Sequence, residues 1–240
     1  MALYRTAGLW LEFEPKYERL RSYAEKYLYS GLEKPSEIMD LNIPVGFLEK
    51  MQKEHSYLSM EACEYIWTGA LFAYKLLDKN GFVIHSSAIA YNGYAYLFSA
   101  DSGTGKSTHT KFWQDVFGKD KAVIINDDKP ALRETDGIFY ASGTMFSGKS
   151  PMSENISVPV KALCFIYRSE KNEIKRLDPG DALPLLLGQT FRPKEINKIS
   201  NFMSVLDSFL RKVPVYSLGV TYSPESAKFA YNAINEDSFC

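Results

Sequence analysis

The chain has little cysteine and no excess of either charge. Cys63, Cys164 and Cys240 stand far apart among 240 residues, without a CxxC pair or a Cys/His ligand spacing. That excludes a disulfide framework and a zinc site, and reads as reduced cytosolic thiols used as small apolar groups. Lys+Arg 28 against Asp+Glu 29 leaves a net charge of −1. Without a broad cationic field, sequence-independent binding of nucleic acid through phosphates is excluded. Repeats and low-complexity tracts are absent, and Met1-Ala-Leu-Tyr-Arg lacks the basic start and apolar core of a signal peptide. One uncharged run, Asn80 to Ala100, is long enough to span a bilayer. It holds His85, Ser86, Ser87 and the turn pair Asn92-Gly93 within strand-like alternation, so it reads as buried strands. The expectation is a soluble, cytoplasmic protein with no membrane and no nucleic acid among its partners.

What is present suits a folded unit. Apolar residues make up 45% of the chain, with sixteen tyrosines and fifteen phenylalanines, enough for a core without staples. Residues 3–14 read as a strand, and helical spacing from Lys16 through Leu20, Ala24 and Leu28 predicts a helix closed by Gly31 and Pro35. A short helix is expected over 45–55, and a longer one from the N-cap Ser59 to the Asn80-Gly81 stop. Then the pattern changes to strands over 82–85, 87–91 and 94–99, a glycine-rich loop, and a helix over 106–117. A buried strand at 122–126 and short strands flanking Asp136-Gly137 come next, with residues 143–159 as loop. Strands at 160–168, 173–177 and 213–219, helices at 179–188 and 194–211, and a helix from Ser223 complete an α/β chain with a mixed, partly antiparallel sheet. Residues 1–80 read as an α+β extension packing on a core domain of 81–240.

Two segments compete as a phosphate loop. The pattern G-x-x-x-x-G-K-[ST] matches at Gly143 to Ser150, and matches with one departure at Ala100-Asp-Ser-Gly103-Thr-Gly105-Lys106-Ser107. Such a loop works where a strand runs into a helix, so that curled N–H groups and the helix N-terminus face the anion. Residues 94–99 and 106–117 supply both elements, whereas Pro151 and Pro159 leave no room for a helix after the other match. The earlier loop is therefore the expected nucleotide site, through Ser102, Gly103, Thr104, Gly105, Lys106, Ser107 and Thr108. Lys106 at a helix start is disfavoured unless an anion lies above it. Ala100, in place of the first glycine, tolerates positive φ poorly. The apolar run Val123-Ile124-Ile125-Asn126 ends in Asp127-Asp128, where ligands of sheets bind. Ser107 with Asp127 and Asp128 would hold Mg²⁺, and one aspartate would serve as base for an acceptor hydroxyl.

His85-Ser-Ser-Ala-Ile-Ala-Tyr, Tyr94 through Ser107 and Asn126-Asp127-Asp128 together resemble the catalytic domain of bacterial HPr serine kinase/phosphorylase and its smaller relatives. The phosphoenolpyruvate carboxykinases share the His, loop and Asp-Asp order. The resemblance is specific over about 82–130, and residues 1–80 do not resemble the N-terminal domain of those kinases. It implies a carboxykinase-like P-loop fold, with ATP and Mg²⁺ as cofactors. The implied chemistry is γ-phosphoryl transfer to a hydroxyl acceptor: a serine of a protein or peptide, or a small alcohol. It places His85 beside the transferred group and divides metal and base duty between Asp127 and Asp128 in an order left open. Self-association follows from the same likeness. His55 and His109 read as structural. Lys149 in Ser147-Gly148-Lys149 is the first candidate to neutralise transferred charge, ahead of Arg168 and Arg192. Two other readings stand beside the kinase: a nucleotide-binding module without catalysis, and carboxykinase chemistry on oxaloacetate, for which the chain looks short.

Overall fold

The computed structural model describes residues 2–33, 35–149 and 151–236. Met1, Ser150 and Cys240, which entered the sequence reading, lie outside the described residues. The chain begins with β1 (Ala2–Thr6) and β2 (Leu9–Phe13), an antiparallel hairpin rather than the single strand expected over 3–14. Its turn is Ala7-Gly8, with φ of +52° and +69°. Asn92-Gly93 and Asp136-Gly137 form two-residue turns with the same signs of φ, the primed geometry that matches strand twist. Asn and Asp advertise such a turn; Ala does not, which is why the first hairpin was illegible. The helix expected from Lys16 is shorter, α1 (Glu18–Ala24), followed by one 3₁₀ turn. A two-residue strand, β3 (Met39–Asp40), adds to β2.

Helices α2 (Val45–Glu54) and α3 (Met60–Leu76) follow, the second capped by the Ser59 hydroxyl, which accepts from Ala62 N–H at 3.1 Å. The uncharged run then folds as β4 (Gly81–Val83), β5 (Ser86–Tyr91) and β6 (Tyr94–Ser99). After α4 (Lys106–Phe117) come β7 (Val123–Asn126), β8 (Ala131–Thr135) and β9 (Ile138–Ser142). Strand β10 (Ser157–Arg168) starts three residues before the expected 160, inside the stretch read as loop. The chain ends through β11 (Glu173–Arg176), α5 (Pro179–Gly188), α6 (Ile196–Lys212), β12 (Val215–Val220) and α7 (Glu225–Glu236).

The long β10 joins two parts of one mixed sheet. Its first residues pair antiparallel with β9, in the order β4-β8-β9. Its remainder lies parallel to β6 on one side and to β12 on the other; β5 and β11 run antiparallel beyond them, and β7 pairs antiparallel with β5. Alternate residues of these strands feed opposite faces. One face buries Leu97 and Leu163 with Leu186, Phe202 and Phe209 of α5 and α6. The other buries Phe98 and Cys164 with Trp113 of α4 and Ala227, Ala230 and Ile234 of α7. A third cluster packs Leu11, Phe13, Leu20 and Phe72 against Val83, Ala131, Met145 and Phe146, so the N-terminal elements rest on the β4–β8 end and on the loop after β9.

Candidate functional site

Strand β6 runs through residues 100–105 into α4, the strand–loop–helix order that the anion argument requires. Gly103 and Gly105 have φ of +82° and +123°, and a Cβ at either would meet nothing within 4 Å. Conformation alone demands glycine there. Ala100 is not among the described residues with positive φ, so the departure from the consensus imposes no strain. No side chain caps the N-terminus of α4, which leaves its first-turn N–H groups unmatched by side chains. Lys106 is buried, and its ammonium donates to Ala100 O at 2.7 Å and Asp101 O at 3.2 Å. Burial lowers its pKa below the usual lysine value, opposed by the charges of Asp128, Asp101 and Asp127. An ammonium carries three donors, so one remains for an anion.

The carboxylates stand at the end of β7. Asn126 Oδ1 accepts from the N–H groups of Asp128 at 2.9 Å and Lys129 at 2.7 Å, holding the turn that presents both acids. Asp127 Oδ1 accepts from the Ser87 hydroxyl at 2.7 Å; that hydroxyl contacts Thr110 Oγ1 at 2.9 Å, and Thr110 in turn donates to Ser107 O at 3.1 Å. The first acid is thereby tied to the opening turn of α4. Asp128 faces His85, with Oδ1 at 3.3 Å from Nε2, and its Oδ2 lies 3.7 Å from Lys129 Nζ. Gln189 Nε2 donates to Asp101 Oδ1 at 3.0 Å, which turns its amide oxygen to His85 Nδ1 at 3.0 Å. So set, Nδ1 is the donating nitrogen, and Nε2 faces the Asp128 carboxylate.

The segment with the letter-perfect signature also reaches this site, without forming a strand–loop–helix unit. Thr144, Met145, Phe146 and Ser147 are buried, and Asn126 Nδ2 donates to Thr144 O at 2.9 Å. Gly148 has φ of +82°, and a Cβ there would lie 2.9 Å from Asp128 Cβ, so conformation and space both require glycine. Its N–H donates to Tyr65 OH at 2.8 Å, and its carbonyl accepts from Arg19 Nη2 at 2.5 Å. The Arg19 guanidinium lies 3.9 Å from the Tyr65 ring centre, and burial pushes the Tyr65 hydroxyl up to about 12. Lys149 is exposed, one residue beyond this contact, its carbonyl accepting from Tyr23 OH at 3.3 Å. Arg168 instead braces the glycine loop from outside, donating to Gly103 O at 2.9 Å and Thr104 O at 3.3 Å. Arg192 is exposed. His109 is buried and accepts from Trp113 Nε1 at 3.2 Å, and His55 stacks near Trp67.

The structure therefore brings Lys106, Ser107, His85, Asp127, Asp128 and the 147–149 turn to one end of the sheet. Sequence reasoning missed Ser87, Thr110, Asn126, Gln189, Tyr65 and Arg19. For Ser87 and Asn126 a signal existed, since each abuts a residue already singled out. Gln189 lies 104 positions from its partner, so no local pattern reveals it.

This is a mixed α/β protein in which a glycine-rich strand–loop–helix turn faces a pair of carboxylates. The family model described as SynChlorMet cassette protein ScmC matches residues 48–225, and the chain belongs to that family. The solved structure of the Hpr(Ser) kinase/phosphatase from Coxiella burnetii is similar over 65% of this chain and 95% of its own, at 13% identity and a TM-score of 0.37. No curated protein matches. Among the described residues no helix is long and apolar enough to cross a membrane.

Proposed function

We propose that this chain is an ATP- and Mg²⁺-dependent phosphotransferase of the HPr serine kinase type, with a carboxykinase-like P-loop core in 81–240 and residues 1–80 as its scaffold. The observation that carries the reading is the buried Lys106 at an uncapped helix start, joined through Thr110 and Ser87 to the acid that ends β7. In this reading Ser102 to Thr108 cradle the phosphates with backbone N–H groups, and Lys106 spends its remaining donor on them. Beside that loop, a cleft of about 130 Å³ between Thr104, Thr108, Phe112 and Tyr222 receives the base. The Ser107 hydroxyl and the carboxylates of Asp127 and Asp128 form a hard oxygen donor set that fits Mg²⁺, which supplies neutralisation of phosphate charge.

The remaining duties fall to the chain's own groups. The acceptor hydroxyl approaches the His85–Asp128 side, where the carboxylate takes its proton as the new O–P bond forms. The bond between the γ-phosphorus and the bridging oxygen breaks, and ADP leaves with that oxygen. His85, oriented by Gln189, faces Asp128 and positions it, and Lys149 meets charge on the transferred group. Incubation with γ-labelled ATP and hydroxyl-bearing peptides tests the reading: label should move to peptide with the native chain and fall at least a hundredfold with Lys106→Ala. Label found only as free phosphate, or equal transfer by both proteins, would refute it.

A further inference from the structure

A second cleft, of about 340 Å³, opens beside His85. One wall is α3, through Ile66, Gly69, Ala70 and Ala73; the other is the turn after α5, from Gly188 to Phe191. Val83 lines it as well, and its polar groups are His85, Lys129, Gln189 and Thr190. Two rim residues are large, apolar and exposed: Ile66 at 41% and Phe191 at 36%. Exposed apolar groups beside convergent polar ones mark a binding site more than a surface at rest. Short side chains set the depth, since Ala70, Ala73 and Gly188 offer no more than a methyl group. Nothing within 4 Å meets a Cβ built on Gly188.

We propose that this cleft is the acceptor subsite, and that it takes a peptide whose serine or threonine is flanked by a bulky aliphatic or aromatic residue. The inference rests on the phosphotransferase reading and adds the class of acceptor to it. His85 and Lys129 belong both to the cleft and to the Asp128 cluster, so a side chain seated between α3 and Phe191 leaves its neighbouring hydroxyl at the His85–Asp128 pair. The exposed rims favour a passing chain over an enclosed small alcohol. Apolar burial of one side chain supplies the affinity that a lone hydroxyl cannot. The ammonium of Lys129, 3.7 Å from Asp128 Oδ2, disfavours a cationic neighbour and tolerates the polar backbone.

Fluorescence anisotropy with two labelled hexapeptides tests this, one with a single serine followed by leucine, its twin with asparagine for leucine. The native chain should bind the leucine peptide at least tenfold tighter. Ala70→Phe and, from the opposite wall, Gly188→Leu should each erase that preference, while affinity for a non-hydrolysable ATP analogue reports that the fold survives. Equal affinity for the twins, or a preference that persists in both variants, would overturn the proposal, as would equally strong competition by free leucinol. Label transfer is scored separately. A leucine preference without transfer upholds the cleft and sinks the kinase, whereas transfer without preference does the reverse.

Discussion

Two glycines with the same φ separate conformation from contact at the level of single residues. Gly103 and Gly148 both lie near +82°, yet a Cβ on Gly103 meets open space and one on Gly148 meets Asp128 at 2.9 Å. Left-handed backbone costs a non-glycine residue about 1–2 kcal/mol. Gly103→Ala should therefore lose about that much stability and weaken nucleotide affinity. Gly148→Ala should lose more, because Asp128 must shift, and should lower turnover tenfold or more with nucleotide affinity kept. Urea midpoints and nucleotide titrations on the two variants check the contrast; identical profiles would show that Gly148 does not act on the acid. Gln189 has its own signature. Gln189→Leu removes the acceptor for His85 Nδ1 together with one donor to Asp101, and leaves the fold's apolar clusters intact, so kcat should fall about tenfold, with a much smaller change in KM for ATP, in a steady-state assay. Lys106 and the paired acids stand out as candidates because their neighbours in sequence carry the signal, and His85 only through the family resemblance. Gln189 does not, since it follows α5 and meets His85 only through folding.

Helix α4 carries a pH dependence that belongs to an element rather than to the chemistry. His109 points into the aromatic cluster of Phe98 and Trp113, with Ser226 of α7 against Nδ1 at 3.2 Å. Because Trp113 donates to Nε2, the ring is neutral with Nδ1 protonated. Burial lowers its pKa from 6.5 to about 3. The folded state therefore binds fewer protons than the unfolded chain between those values. Its stability is fully present above about 6.5 and is lost as pH falls through that window. Between pH 6.5 and 5 the loss is about 1.6 kcal/mol. Chemical denaturation at both values should show it in the native chain and not in His109→Gln; an equal slope in the variant would assign the acid sensitivity elsewhere. At this scale the sequence was informative. Helices α3 and α4, the strands on either side of the loop and two of the three two-residue turns all follow from periodicity and from Asn-Gly or Asp-Gly pairs. The failures have physical causes: an Ala-Gly turn that sequence does not advertise, and residues 157–159, where proline hides pairing with β9.

Across the whole molecule, the N-terminal elements and the sheet meet at the 147–149 turn. Arg19 reaches over 129 positions to Gly148, and Tyr65 over 83, so the role of residues 1–80 was not legible beforehand. The geometry makes them a clamp on the acid side of the site, because Gly148 lies against Asp128 whereas the glycine loop is braced by Arg168 from β10. Two supports that share no residue predict two separable defects. Tyr65→Phe deletes one acceptor for a backbone N–H while keeping the ring beneath Arg19. It should cost about 1–2 kcal/mol of stability and lower turnover severalfold, with nucleotide affinity unchanged. Arg168→Ala, which frees two loop carbonyls, should weaken nucleotide binding with turnover at saturating ATP much less affected. Combining the two should give additive losses, as expected of distant sites without shared partners. Isothermal titration with an ATP analogue and steady-state kinetics on both single variants and the double variant decide it. A Tyr65→Phe protein that loses nucleotide affinity, or losses far from additive, would mean that the clamp and the loop move as one body, and the division of labour between the two supports would have to be given up.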